Sequence, residues 1–419
     1  MTHQAYCVTV TLVQGQPVYS IALESQLREE IFTNYSALQR PAKIVNVKVD
    51  LTLLTVNDLS IKYQTLSVSA LLTLSWIDDR LAWLSGRSQD YTSILYMYDT
   101  EKNVWKPTIY VENSVVDLSV ITDPNTPMRM DQRGEIRWST SAIYIVSCES
   151  EIMYYPLDQQ TCEVKLTTAG YTALDINLIF DPTPVTLAFY AENGEWELLT
   201  VQGIKPTDKV LGGASHSKVL FRISMRRRPL FHIMNTMFPV VLMAFLIPMA
   251  FKLNVESGEK MGYSLTVLLA YAVYLSMISE NIPSTSVSIC FLSIYLATTL
   301  VLSTLSVLFV IVVINVHHSP EEEPMSPKLQ AFGFKLEKVL CRKKNDASTQ
   351  PVKVAPTPND CLDKPDTMLK DNYMCEEEDM TWIRLSRLLD QFFFVTFMIV
   401  ITFSTLVFTA LTSLKLLTY

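Results

Sequence analysis

Glycine is scarce in this chain, at 11 of 419 residues, and neither GxxxxGK[ST] nor GxGxxG occurs. Loops that cradle phosphates with backbone N–H groups need such patterns, so nucleotide chemistry is not expected. Basic residues are in deficit too: 34 Lys and Arg stand against 42 Asp and Glu, a formal charge of −8. That balance argues against a nucleic-acid partner. The seven cysteines contain no CxxC pair, and His216, His232, His317 and His318 are scattered or border apolar runs. With no nucleophile–base or ligand constellation, no metal, no cofactor and no enzymatic activity is expected. No internal repeat is visible. Met1–Leu12 lacks the basic residues of a secretory leader, so a native leader is expected outside this numbering.

What is present is hydrophobic mass. Hydrophobic residues make up 49% of the chain, and the mean hydropathy is +0.22. Both are high for a water-soluble protein. Four apolar stretches are long enough to cross a bilayer: Phe231–Phe251, Gly258–Pro283, Val287–Val316 and Phe392–Leu414, of which the last two carry no charge. The residues before them suffice for a soluble domain. The expected layout is an outer domain over 1–225, three spans over 226–316, a cytoplasmic stretch over 317–384 and a fourth span over 385–419. Lys252 and Lys260 follow the first span; Lys328, Lys335, Lys338, Arg342, Lys343 and Lys344 follow the third. Positive charge marks the cytoplasmic side, which puts both termini outside the cell. Arg226, Arg227 and Arg228 break the rule locally, as a large translocated domain allows.

The second stretch carries the main functional signal. Glu259, Gly262, Thr266, Leu269, Val273, Ser276 and Glu280 are spaced 3, 4, 3, 4, 3 and 4 apart, so they share one helix face. From Glu259 to Glu280 a helix rises about 32 Å, close to the hydrocarbon thickness of a bilayer. A single such helix leaves a polar stripe in lipid. Several copies around an axis make the stripe the wall of a water path. The stretch therefore reads as the pore-lining helix, about 259–280, of an oligomeric cation channel. Leu269 and Val273 narrow its middle and can gate by dewetting, and Glu259 and Glu280 form carboxylate rings at the two mouths. Taken alone, Leu269 would be ordinary packing between helices. Lys260 adjoins Glu259 and can pair with it at the membrane edge; such a pair would still leave Glu259 on the lumen face.

Before the spans the period is different. Ala22–Leu38 reads as an amphipathic helix, and Asn34-Tyr35-Ser36 is a glycosylation sequon. Val45–Leu53 alternates apolar and polar residues, as a half-buried strand does. Leu66–Trp76, Ile136–Val146, Cys162–Thr168, Glu195–Val201 and Lys218–Met225 read as further strands, which together indicate a β-sandwich. Of the seven cysteines, only Cys148 and Cys162 lie close together on the outer side, where they can close a small loop. Cys341, Cys361 and Cys375 fall on the cytoplasmic side. There, Glu321–Pro324 and Gln350–Pro365 read as disordered, Ala331–Leu340 as a short helix near the membrane, and Cys375–Leu389 as the start of the fourth span's helix.

Several motifs in order resemble one family. The loop Cys148–Cys162, enclosing Tyr155-Pro156-Leu157-Asp158, resembles the signature loop of the Cys-loop receptors, the pentameric ligand-gated ion channels. Trp76-Ile77-Asp78-Asp79-Arg80-Leu81-Ala82-Trp83 is similar to their WxDxxLxW strand. Trp105-Lys106-Pro107 resembles WxPD, with Thr108 in place of the acid. Arg226–Leu230, Gly258-Glu259-Lys260 and His317–Pro320 resemble the nicotinic, cation-selective branch before the first span, at the pore entrance and after the third span. The resemblance implies an extracellular all-β sandwich followed by a four-helix transmembrane bundle. It implies a homo- or hetero-pentamer of identical or related subunits around a central pore. It implies a plasma-membrane receptor of the synaptic kind, with an agonist and permeant cations as its partners beside the bilayer.

The resemblance also implies site residues. Asp158 is expected near Arg228 and near the link carrying Pro283, coupling the outer domain to the pore. Another family acid has Ile61 in its place. The family's agonist site, between subunits, is an aromatic box that holds a cation by cation–π attraction. Here Leu71, Glu112 and Ala169 occupy three of its positions, and the hairpin Pro206–Ser217 has neither tyrosine nor a cysteine pair. Trp138 lies on a strand facing that cleft, yet reads more readily as a core residue. Acetylcholine is not expected to bind a homomer. The leading reading is a cation channel subunit with an unknown or altered agonist. The alternatives are an accessory subunit of a heteromer and a non-conducting membrane-anchored binding protein.

Overall fold

The computed structural model describes residues 18–84, 91–206, 210–211, 214–280, 282, 289–320, 324–340 and 380–417. Pro283, the tip of the hairpin at Gly212-Gly213, Cys7, Cys341, Cys361, Cys375 and the acidic and proline-rich cytoplasmic segments lie outside them.

The outer unit begins with α1 (Ile21–Phe32), capped by the Ser20 hydroxyl and anchored through buried Leu27 and Ile31. Its strands are β1 (Val45–Ser60), β2 (Thr65–Ile77), β3 (Tyr96–Asp99), β4 (Ile109–Val111), β5 (Met128–Asp131) and β6 (Glu135–Ser147). There follow β7 (Gln159–Thr168), β8 (Ile176–Thr186), β9 (Trp196–Ile204), β10 (Val210–Leu211), β11 (Ala214–Ser215) and β12 (Lys218–Arg227). They form a six-stranded sheet in the order β3-β5-β6-β2-β1-β8, a four-stranded sheet β4-β7-β12-β9 and the small β10-β11 hairpin. The expected sandwich is therefore present, with alternation as its cause. Val45, Val47, Val49, Leu51 and Leu53 face inward from β1, and Leu66, Val68, Ala70, Leu72, Leu74 and Trp76 from β2. From the other sheet come Val164 and Leu166 of β7 and Val219, Phe221, Ile223 and Met225 of β12.

The Trp76–Trp83 motif is a folding device. Asp78, fully buried, accepts hydrogen bonds from Arg80 Nε (2.8 Å) and Nη2 (2.7 Å) and from the Tyr35 hydroxyl (3.0 Å). Burial drives the Tyr35 hydroxyl pKa up to about 12, although it also accepts the Trp105 N–H. Trp83 donates Nε1–H to the Ile94 carbonyl (3.0 Å). Gly134 has φ +80°, and a Cβ there would lie 2.5 Å from the Asp78 carbonyl oxygen, so glycine is required.

In the second unit, four helices are long and apolar enough to cross a membrane: Leu230–Lys252, Lys260–Ser279, Phe291–His317 and Trp382–Ser413. The fourth continues to Leu417. The first contains a π-helical turn, Ile233–Met237, just before Pro239. Three tyrosines of the second span satisfy carbonyls of the first. Tyr274 donates toward Asn235 (3.1 Å) and Thr236 (2.8 Å), Tyr271 to Val240 (3.2 Å) and Tyr263 to Leu246 (3.0 Å). Tyr295 of the third span stacks on Phe408 of the fourth at 4.6 Å and shares a hydrogen bond with Thr405. An amphipathic helix, Pro327–Leu340, packs Leu336 and Gly333 against Met380 and Leu385 at the start of the fourth span.

Candidate functional site

The second span divides by burial into two sides. Lys260, Ser264, Val267, Tyr271 and Ile278 are buried against the other helices. Glu259, Gly262, Thr266, Leu269, Val273, Ser276 and Glu280 are all exposed, Leu269 by 64% and Val273 by 54%. The arc that the spacing picks out is thus free of packing within the subunit. Its exposed neighbours Leu265, Ala270, Ala272 and Met277 widen it. Glu259 stands at the N-cap position without a side-chain capping hydrogen bond; its charge suits the helix dipole, and its carboxylate lies near Gly262. Thr266, exposed, donates its hydroxyl to the Gly262 carbonyl (2.8 Å), and its oxygen remains able to accept.

Lys260 decides one alternative. It is not paired with Glu259 at the membrane edge. Its side chain is 1% exposed and its ammonium pairs with Asp390 of the fourth span. One helical step separates the two residues, so Glu259 faces out while Lys260 faces in.

A second constellation lies in the outer unit. Cys148 and Cys162 form a disulfide, Cα–Cα 5.1 Å, that joins the end of β6 in one sheet to β7 in the other. Within the closed loop, Asp158 is 3% exposed. Arg227 Nε donates to Asp158 Oδ1 (2.8 Å) and Nη2 to Oδ2 (3.3 Å), while Gln160 Nε2 donates to the same Oδ2 (2.7 Å). The other guanidinium nitrogen pairs with Glu195, and the guanidinium carbon lies 4.2 Å from the Trp196 ring centroid and 5.2 Å from that of Tyr155. The partner of Asp158 is therefore Arg227, not Arg228. Arg228 points to Glu192 (2.8 Å) in an exposed pair. Strand geometry decides between them: Val219, Phe221, Ile223, Met225 and Arg227 alternate inward along β12, and Arg228 lies past its end. Ile61, at the other acid's expected position, is buried.

The agonist positions fall on both sheets. Glu112 follows β4 and pairs with Lys218 of β12 (2.5 Å). Ala169 exchanges hydrogen bonds with Thr108, its N–H to the Thr108 carbonyl (2.9 Å) and the Thr108 hydroxyl to its carbonyl (2.6 Å). Leu71 is half-buried in β2. Trp138, on β6, is fully buried, and the Lys106 ammonium lies 4.3 Å from its ring centroid, itself held by Glu101 and the Ile121 carbonyl (2.9 Å). Trp138 is a core residue whose face an internal cation already covers, which removes it from the ligand candidates. Among the described residues, no group of three or more His, Cys, Asp or Glu is placed to hold a metal.

Residues 24–229 match the family model for the neurotransmitter-gated ion-channel ligand binding domain, and residues 236–377 the model for the neurotransmitter-gated ion-channel transmembrane region. The chain belongs to the neurotransmitter-gated ion-channel family. This channel subunit is 29% identical to the human neuronal acetylcholine receptor subunit beta-4 over 357 residues, covering 82% of the chain and 69% of the relative. It is 31% identical to the Xenopus laevis acetylcholine receptor subunit beta over 360 residues, covering 80% and 70%. Against the rat acetylcholine receptor subunit beta the identity is 30% over 321 residues, covering 72% and 63%. It is a nicotinic-like, Cys-loop subunit of a ligand-gated channel, not an enzyme. It is a multi-pass plasma-membrane protein with an extracellular N-terminal domain, and members assemble as pentamers of related subunits around a pore.

Within the channel subunit, the sequence reading missed Arg227, Glu195 and Trp196 of the charged cluster, Lys218 facing Glu112, and Asp390 facing Lys260. The period-2 pattern of β12 carried the signal for Arg227. The other partners come from distant segments and have no local signal.

Proposed function

We propose that this chain is a pore-forming subunit of a cation-selective pentameric channel whose agonist is not a quaternary ammonium bound in an aromatic box. The observation that carries the reading is the exposed arc of the second span. Its two acidic ends, its hydroxyls and its aliphatic middle are left unpacked within the subunit, as the wall of a shared water path requires. Glu259 and Glu280 are the cation-concentrating rings, Gly262, Thr266 and Ser276 the polar wall, and Leu269 and Val273 the gate. The nicotinic names of its relatives support cation permeability. Asp158, with Arg227 and the adjoining Arg228, and with the link that carries Pro283, couples the outer domain to the pore. Asn34, exposed with φ 66°, is a glycosylation acceptor. Residues 1–225, 226–316, 317–384 and 385–419 serve as outer domain, three spans, cytoplasmic stretch and fourth span.

The agonist positions favour a second reading, that of an accessory subunit. Where an aromatic box would attract a cation, Glu112 is neutralised by Lys218. The test expresses the chain alone and together with a nicotinic relative, applies amines, protons and divalent metals, and measures reversal potentials. Cation-following reversal supports the pore assignment, and Glu259→Lys should then lower cation permeability. Reversal that tracks chloride refutes it. Current only on co-expression identifies the accessory role.

A further inference from the structure

Something must decide which side of the second span meets water, and apolar burial decides it weakly. Leu265, Leu268, Leu269, Val273, Leu275 and Met277 put aliphatic surface on several sides of this helix. In a bilayer, lipid tails are as apolar as leucine, so packing such surface against another helix gains little. Hydrogen bonds between spans are directional, and this helix makes them at three levels. Tyr263 donates to the Leu246 carbonyl (3.0 Å), Tyr271 to that of Val240 (3.2 Å), and Tyr274 to those of Thr236 (2.8 Å) and Asn235 (3.1 Å). The partners run in reverse order, as an antiparallel pair requires, and the bonds spread over about 16 Å of helix rise.

Two of the levels fall where the first span's own ladder is interrupted. Pro239 has no N–H for the Asn235 carbonyl four residues before it, and the π-helical turn Ile233–Met237 lies at the same level. At the other end the Ala250 N–H bonds the Ile247 carbonyl as the helix tightens over Ala250–Lys252, and Tyr263 serves the Leu246 carbonyl there. In hydrocarbon such carbonyls need a partner within the protein. The tyrosines also fix an angle. With about 100° between successive residues, the three fall within about 80° of one another, centred about 120° around the helix from the middle of the exposed arc.

We propose that Tyr263, Tyr271 and Tyr274 set the rotation of the second span against the first, and so select Leu269 and Val273 to face the water path. The inference rests on the reading of the exposed arc as the pore wall. The tyrosines are positioning residues: they act on the path through the helix that carries them. Turning the helix about its axis requires breaking hydroxyl–carbonyl bonds at all three levels. The turn would bring half-buried Leu268 and Leu275 toward the path in place of Leu269 and Val273.

The test labels cysteines in the full chain, assembled in lipid nanodiscs, with a water-soluble cationic methanethiosulfonate. Mass spectrometry reads the adduct at each site. Leu269→Cys and Val273→Cys report the exposed arc, and Leu268→Cys and Leu275→Cys report its flank. In the parent background the first two should react roughly tenfold faster than the others, because the reagent needs a wet thiolate. Tyr263→Phe/Tyr271→Phe/Tyr274→Phe keeps the rings and removes only the hydroxyls. There the contrast should fall roughly tenfold, to near equality, as the interspan bonds are lost together. Tyr274→Phe alone should lower it about threefold, and an unchanged contrast in it would overturn the proposal should the triple variant not assemble. Tyr295→Phe removes a hydroxyl bond between the third and fourth spans and should leave the contrast as it is, which separates rotation from general loosening. A contrast that survives in the triple variant, or that Tyr295→Phe lowers equally, overturns the proposal. Absence of labelling at Leu269→Cys and Val273→Cys in the parent background sinks the pore wall itself, and the inference with it. A contrast present in the parent and insensitive to the hydroxyls sinks the inference alone.

Discussion

Asp158→Asn is the sharpest test of the buried cluster. The substitution keeps size and shape but replaces one acceptor oxygen with an amide N–H. Arg227 Nε and Nη2 both donate to this carboxylate, at 2.8 and 3.3 Å, and both residues are buried, Asp158 at 3% and Arg227 at 4% exposure. Whichever way the amide turns, one N–H faces either the guanidinium or Gln160. Removing one partner of a buried pair typically costs 3–5 kcal/mol. Here Glu195 still holds one nitrogen, and the Arg227 N–H still reaches the Asp158 carbonyl (3.2 Å). The lower end, about 3 kcal/mol, is therefore expected. For a unit of this size that lowers Tm by roughly 6–12 °C. Glu195→Gln removes a charge from the same arginine, but the Glu195 side chain is 47% exposed, and the loss should stay near or below about 1 kcal/mol. Thermal unfolding of the solubilised channel measures both, with Trp196 fluorescence as local reporter because the guanidinium lies over its ring. A Glu195→Gln effect equal to or larger than that of Asp158→Asn would refute the burial argument.

Leu269→Ser should hydrate the narrowest part of the path and produce resting current or easier activation; unchanged gating in a conducting assembly would remove Leu269 from the gate. Asp50→Asn should raise Tm at neutral pH. Burial, then the Asp181 carboxylate, raises the Asp50 pKa above 3.8, and its Oδ1 has no hydrogen-bond partner. The folded state therefore favours the protonated acid, and the parent loses stability as pH rises from the unfolded pKa through the folded one. The variant's advantage should be full above that window and vanish below it, and a pH-independent difference would count against the cause given. Replacing Cys148 and Cys162 together by alanine should cost about 2–4 kcal/mol, visible as a lower Tm under oxidising conditions and as convergence with the reduced parent.

Much of the architecture was legible because its periods are strong. β1 and β2 alternate over long runs, and the spans are long and apolar. β3, β4 and β5 escaped because three or four residues carry no period worth reading. β8 escaped because Pro182 and Pro184 argue against a strand; it tolerates them as an edge, paired in parallel with β1 alone. At the cluster, the expectation fell on Arg228, the last of three consecutive arginines. Extending the inward alternation of β12 selects Arg227 instead. Lys260 and Asp390 lie in segments 130 residues apart, and nothing in either segment's own pattern points to the other.

The parts of the subunit answer to different physical demands. Pore residues must stay exposed within the subunit and share a face, and a single helix with a 3-4 spacing satisfies both requirements. The Asp158–Arg227 cluster is buried, so losing either charge strands the other, and the arrangement resists piecemeal change. An aromatic agonist box has no such protection. Its rings must be exposed to meet a ligand, and exposed aromatics contribute little to folding while risking unwanted association. On the proposed reading, a surface ion pair such as Glu112 with Lys218 stands where the box would lie, and such a pair contributes little to stability. Glu112→Tyr together with Ala169→Trp should therefore fold as well as the parent. Unaltered thermal stability would support this account; a loss of several degrees would show that the present side chains are structurally required.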